Sequence, residues 1–139
     1  MDSIETARAV FREAPFIVDL GIEPTFMGEG RCETELVVQP RMLQHTGQVH
    51  AGVITTLADH TAGAAAQSVL PAGAVAITAE LKISLMRPAR AERLVCSAVV
   101  LKPGRALVFA EAEVHAMAGD GVRSLVAKLS ATLAAVQPK

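Results

Sequence analysis

Residues 51–70 read AGVITTLADHTAGAAAQSVL, and Asp59 is the one formally charged side chain among them. A helix this apolar around its circumference has to be covered on most faces. The rest of the 139 residues must therefore supply a wrapping layer, and their patterning is that of strands. RCETELVV (31–38) alternates, with Cys32, Thr34, Leu36 and Val38 on one side and Arg31, Glu33 and Glu35 on the other. After the turn residues Pro71, Ala72 and Gly73, AVAITAELKISLM alternates again and stops at Pro88. ERLVCSAVVL, ALVFAEAEVHAM and VRSLVAKLSATLAAV are separated by Lys102-Pro103-Gly104 and Gly119-Asp120-Gly121, the pattern of an antiparallel meander. Ahead of the strands, about residues 3–14 suit a short amphipathic helix. Ser3 caps it, Ile4, Ala7, Val10 and Phe11 form its inner face, and Pro15 ends it. PFIVDLGIEPTFMGEG then reads as a loop or short strand, and QPRMLQHTGQVH as irregular. The expected architecture is α+β: a curved antiparallel sheet packed around the central helix, in a single domain over residues 1–139.

Composition excludes several function classes. Four Phe, no Trp and no Tyr leave no aromatic platform for stacking bases, and a net charge of −1 gives no pull toward nucleic acid or an anionic membrane. No uninterrupted apolar run of about 18 residues is present, so no spanning helix is expected. MDSIETARAV lacks a secretory h-region, and Cys32 and Cys96 lie apart in strand-like runs. The expectation is a cytoplasmic protein with reduced, buried thiols.

Burying a carboxylate without a partner costs several kcal/mol, on the order of 2–7 even for a neutral polar group. Asp59 must reach water, find a partner, or be retained for chemistry. Its helical neighbours Thr55, Thr56, Ala62 and Gly63 are all small, which leaves space in front of the carboxylate. At the helix start, the N–H groups of Ala51, Gly52 and Val53 have no partner within the helix, and Gly52 permits close approach. Such a terminus seats the developing oxyanion of an ester or thioester under attack. Asp59 lies about 12 Å along the axis from Ala51, whereas one carbonyl bridges only about 6 Å between donor and carboxylate. One chain cannot present both groups to one substrate, so a carboxylate mechanism implies a dimer. A metal site is not expected: Asp59 and His60 diverge by about 100° and the spacing of His45, His50, Asp59 and His60 is not that of zinc ligands. No G-x-S-x-G elbow is present either.

The pattern Gln44-x5-His50-Ala51-Gly52-x6-Asp59-x3-Gly63, between a strand and a meander, resembles the PaaI-type hotdog-fold acyl-CoA thioesterases, relatives of the 4-hydroxybenzoyl-CoA thioesterases. The resemblance runs from about Phe16 to Val136 and implies a long helix wrapped by a curved antiparallel sheet. It implies hydrolysis of an acyl- or aryl-CoA thioester, with Asp59 as nucleophile or general base. It also implies that the Ala51 N–H polarises the carbonyl, that Gln44 lies near the carbonyl or water, and that Thr78 positions the water. His50 is then structural. Ala51 replaces the family's usual Gly but keeps the N–H. Gly52, Gly63, His45 and His50 are candidate substrate contacts, and Arg87, Arg90, Lys102 and Arg105 candidates for the coenzyme A phosphates. Val49, Val53, Leu57 and Met86 suit an apolar acyl chain. No cofactor is implied, since coenzyme A is part of the substrate. The implied assembly is a homodimer with shared sites, or a dimer of dimers. Competing readings are a hotdog dehydratase or hydratase, and a non-catalytic acyl-CoA binding protein.

Overall fold

The computed structural model describes residues 2–138. Helix α1 (Ser3–Glu13) is capped by Asp2, whose side chain accepts from the Glu5 N–H at 2.8 Å. The expected cap, Ser3, instead donates to the Leu70 carbonyl at 2.6 Å and ties α1 to the turn that follows the central helix. Pro15 does not simply end α1: it opens a second helix, α2 (Pro15–Leu20), as its first residue, where a missing N–H costs nothing. Gly21, at φ 79°, closes α2. The stretch expected as loop or strand is thus a helix followed by β1 (Glu23–Gly28).

Strand β2 (Arg31–Val37) buries Cys32, Thr34 and Leu36, in agreement with its alternation. A short 3-10 turn (Pro40–Met42) leads to a tight loop bridged by Leu43 and Val49. The central helix α3 (Ala51–Gln67) ends one turn before Leu70. The chain then forms β3 (Val75–Leu85), β4 (Arg93–Lys102), β5 (Leu107–Met117) and β6 (Arg123–Val136).

All six strands make one antiparallel sheet in the order β1-β2-β4-β5-β6-β3. The meander β4-β5-β6 is the expected one. β3 does not join β4, its neighbour in sequence; it pairs with β6 and forms the far edge. Helix α3 crosses the concave face and touches every strand from β2 to β3. Ala58, Ala62, Ala65 and Ala66 are its contact surface, and they let the backbone of the helix lie close to the sheet. Leu57, Leu94, Leu129 and Leu133 fill the layer between, each at most 1% exposed, worth about 1.5–3 kcal/mol per side chain by area removed from water. At the centre, Thr61 donates to the Leu57 carbonyl, so the 2.7 Å contact between Thr34 and Thr61 is a bond donated by Thr34. Cys32 and Cys96 lie in the same layer as free thiols, both pushed up to about 12 chiefly by burial. They are packing groups. Among the described residues no helix is long and apolar enough to cross a membrane.

Candidate active site

The partner of Asp59 comes from β3. Gln67, near the end of α3, donates to the Ala74 carbonyl at 2.8 Å and accepts from the Ala76 N–H at 3.0 Å, which fixes where β3 begins. The pairing of β3 with β6 slips by one residue between Thr78 and Glu80. A bulge of this kind re-aims side chains: Thr78 and Leu81, three apart, both face the helix. The Thr78 hydroxyl donates to Asp59 Oδ1 at 2.8 Å, and Leu81 closes one side of a pocket of about 300 Å³ into which Asp59 opens. Its other walls are Thr55 and Thr56 from α3 and Ala14, Phe16 and Ile17 from the α1–α2 corner. Asp59 is half-buried, with one oxygen held by Thr78.

His60, the next residue, also reaches this pocket but packs edge-on against Phe11 at 4.7 Å between ring centroids. Its Nε2 is buried with no hydrogen-bond partner among the described residues. Burial lowers the imidazole from its ordinary 6.5, against the opposing pull of the Asp59 charge and the Val10 carbonyl. The unfolded ring takes its proton near 6.5, the folded one only at lower pH. Its contribution to stability is therefore fully present above the unfolded value and lost as pH falls through the folded value. We expect the melting temperature to drop between about pH 7.5 and pH 5.5, and to drop less in His60→Phe, which has no proton to gain. Parallel slopes for the two proteins in thermal melts would refute this.

The start of α3 forms a second, separate pocket. His50 is the N-cap, and its Nδ1 accepts from the Gly52 N–H at 2.8 Å. The N–H groups of Val53 and Ile54 reach the His50 carbonyl at 3.0 and 3.3 Å. Of the donors expected to be free, only the Ala51 N–H lacks an acceptor among the described residues. Gly52 serves the cap rather than a ligand: a Cβ there would sit 3.0 Å from His50 Nδ1. Ala51 lines a pocket of about 340 Å³ with Gln44, Gln48, His50, Met86 and Arg87. Gln44 is oriented by Gln48, donating from Nε2 to its Oε1 at 3.3 Å.

The candidates thus fall into two groups. Asp59 and Thr78 are bonded to each other; Gln44, His50, Ala51 and Arg87 share the other pocket; the two pockets have no lining residue in common. His45 is exposed and lines neither pocket. Gly63 faces the sheet, where a Cβ would meet Leu133 at 3.8 Å. Arg90 braces the loop by donating to the Thr46 carbonyl at 3.1 Å. Leu57 is wholly in the core, whereas Val49 and Met86 line the Ala51 pocket rather than the Asp59 one. Gln48, Phe16 and Leu81 were missed by sequence reasoning. For Gln48, the spacing Gln44-x3-Gln48 across a Gly47 turn was the available signal.

A single long helix wrapped by one curved antiparallel sheet, with its polar side chains gathered at mid-helix and at the helix start, defines a hotdog-fold protein. The chain belongs to the thioesterase superfamily, whose family model matches residues 46–122. A thioesterase family protein of Silicibacter pomeroyi is 32% identical, with a TM-score of 0.94 over 98% of this chain and 99% of that one. A conserved protein of Pseudomonas aeruginosa is 31% identical, with a TM-score of 0.80 over 88% and 94% of the two chains. A proposed esterase of Halobacterium salinarum is 31% identical over 100 residues, 68% of this chain and 66% of that relative. The E. coli PaaI protein, from the phenylacetic acid degradation operon, shares the fold at 23% identity, with a TM-score of 0.84 over 96% and 93% of the two chains.

Proposed function

We propose that the protein hydrolyses acyl-CoA thioesters, as a homodimer in which each site joins Asp59 and Thr78 of one subunit to Gln44 and Ala51 of the other. The observation that carries this reading is the Thr78–Asp59 hydrogen bond at 2.8 Å, at the mouth of a pocket that the carboxylate shares with mostly apolar side chains. With Oδ1 held by Thr78, Oδ2 is the oxygen available for chemistry. The Thr78 hydroxyl proton is committed to Asp59, so toward a water Thr78 acts as acceptor. A water donating to both Asp59 and Thr78 has its lone pair aimed outward, at the thioester carbon.

The Ala51 N–H receives the carbonyl oxygen as it becomes an oxyanion, helped by the positive end of α3. Asp59 takes one proton from the attacking water; collapse of the intermediate breaks the C–S bond, and that proton passes to the departing sulfur, releasing coenzyme A as its thiol and the acyl group as its acid. Asp59 attacking directly, through an anhydride that water then opens, reaches the same products. In this reading Arg87, which lines the Ala51 pocket, is the basic residue that meets the coenzyme A phosphates. No cofactor is needed on either route.

The test is release of free thiol across acyl-CoAs of increasing chain length and aryl-CoAs. Turnover of a subset is expected. Cleavage of oxygen esters with no cleavage of any CoA thioester would remove the substrate assignment. Within the same assay Gln44→Ala is expected to lower turnover by about ten- to a thousandfold, the range for losing one positioned polar group. A Gln44→Ala enzyme with parental turnover would take Gln44 out of the mechanism.

A further inference from the structure

The pocket in front of Asp59 has a consistent chemical character. The Thr55 hydroxyl donates to the Ala51 carbonyl at 2.8 Å and the Thr56 hydroxyl to the Gly52 carbonyl at 2.7 Å. Both protons are committed within the helix, so these side chains offer the pocket methyl groups and lone pairs. Thr78 likewise gives its proton to Asp59. Among the described residues no lysine or arginine lines the pocket. Apart from the His60 ring, which packs on Phe11 and whose Nε2 has no hydrogen-bond partner among the described residues, the remaining surface is apolar, and the short helix α2 places at its rim the ring of Phe16, 62% exposed. The volume, about 300 Å³, sits at the lower end for ligand pockets.

We propose that Phe16 and this pocket, which has no lysine or arginine and whose threonine protons are already committed, determine acyl specificity, selecting uncharged acyl groups long enough to reach Phe16 and rejecting acyl groups that end in a second carboxylate. The inference rests on the proposed function, in which the acyl group lies beside Asp59. An uncharged chain or ring gains contact with Phe16 and with the methyl groups of the threonines. A terminal carboxylate entering the same space loses its water, finds acceptors instead of donors, and lies near the charge of Asp59. An acetyl group, with a single methyl beyond its carbonyl, offers little surface for this contact and is expected to be indifferent to Phe16.

Hexanoyl-CoA and glutaryl-CoA, similar in length and different in terminal charge, make the comparison, with acetyl-CoA as the short control. The parent is expected to favour hexanoyl over glutaryl in kcat/KM by about a hundredfold. Phe16→Ala should lower kcat/KM for hexanoyl-CoA by roughly tenfold, within the range for lost apolar pocket contacts, and leave acetyl-CoA within about twofold. Phe16→Arg, at the same exposed position, should narrow the hexanoyl-to-glutaryl ratio by about tenfold. Glutaryl-CoA turned over within about threefold of hexanoyl-CoA by the parent, or equal effects of Phe16→Ala on acetyl and hexanoyl, overturns the proposal. Affinities for non-hydrolysable 2-oxoalkyl thioethers of coenzyme A, with and without a terminal carboxylate, provide a second readout. Selective binding with no turnover would remove the hydrolytic reading and support this one; equal affinities would overturn it.

Discussion

Asp59→Asn is expected to fold, to bind substrate, and to lose on the order of 10³- to 10⁴-fold in turnover, the scale for deleting a group that acts on the reacting atoms. Asparagine is nearly the same shape, and its amide oxygen can still accept from Thr78, so the 2.8 Å hydrogen bond is preserved in kind. What is lost is the lone-pair basicity of the second oxygen. An amide neither attacks a thioester nor takes a proton from water at neutral pH. The packing around it, Thr55, Thr56, Phe16 and Leu81, is indifferent to the exchange. Replacing a half-buried charge with a neutral group should leave the melting temperature equal or raise it, as expected where a carboxylate is kept for activity rather than stability. The three quantities belong on one preparation: melting temperature, affinity for a non-hydrolysable thioether, and single-turnover rate. A well-folded Asp59→Asn protein that hydrolyses acyl-CoA near the parental rate would reduce Asp59 to a helix residue with a threonine neighbour.

The legibility of this site differed from group to group for physical reasons. Asp59 stood out because charge is costly on a helix covered on most faces, and that cost is visible in one sequence. Strand β2 was legible because a half-buried strand alternates, and Cys32, Thr34 and Leu36 do so. Helix α2 was not: six residues, PFIVDL, are too few for a helical period to show, and β-branched Ile17 and Val18 read as strand. The position of β3 beside β6 was hidden because its pairing is non-local, and the slip between Thr78 and Glu80 leaves no compositional mark. Thr78 was therefore reached only through resemblance to known thioesterases. The start of α3 was half legible. Three unpaired N–H groups followed from helix geometry, but the return of His50 onto the Gly52 N–H is a rotamer choice, and it is this choice that singles out Ala51. The glycine in His50-Ala51-Gly52 then has a reason that spacing alone did not reveal: a larger residue would crowd the capping imidazole.

Two inactive proteins are expected to make an active one. If each site takes Asp59 from one subunit and Gln44 with the Ala51 N–H from the other, Asp59→Asn and a variant disabled at the other pocket, such as Gln44→Ala combined with His50→Ala, carry complementary defects. Heterodimers then contain one fully intact site and one doubly disabled site. The fold offers an open edge for such a pairing. β3 is an edge strand of eleven residues without proline, and Ile77, Leu81 and Leu85 on it are 51%, 36% and 49% exposed. A long apolar edge of this kind pairs with another strand or aggregates. Thr78, toward one end of β3, holds the Asp59 carboxylate, and Leu85 at the other end lines the Ala51 pocket. A two-fold axis midway between them, with the two β3 strands antiparallel, sets Thr78 of one chain opposite Leu85 of the other. In the proposed dimer that arrangement would set the Ala51 pocket of the partner beside Asp59, in place of the gap of about 12 Å along the helix within one chain. Random mixing at equal amounts gives half heterodimers with one working site in each. Recovered turnover should therefore approach about a quarter of the parental value per subunit, from parents each reduced by a hundredfold or more. Differently tagged subunits, purified sequentially after refolding together, isolate the heterodimer. Confirmed heterodimers no more active than either parent would show that each chain works with its own residues, and the shared site would have to be abandoned.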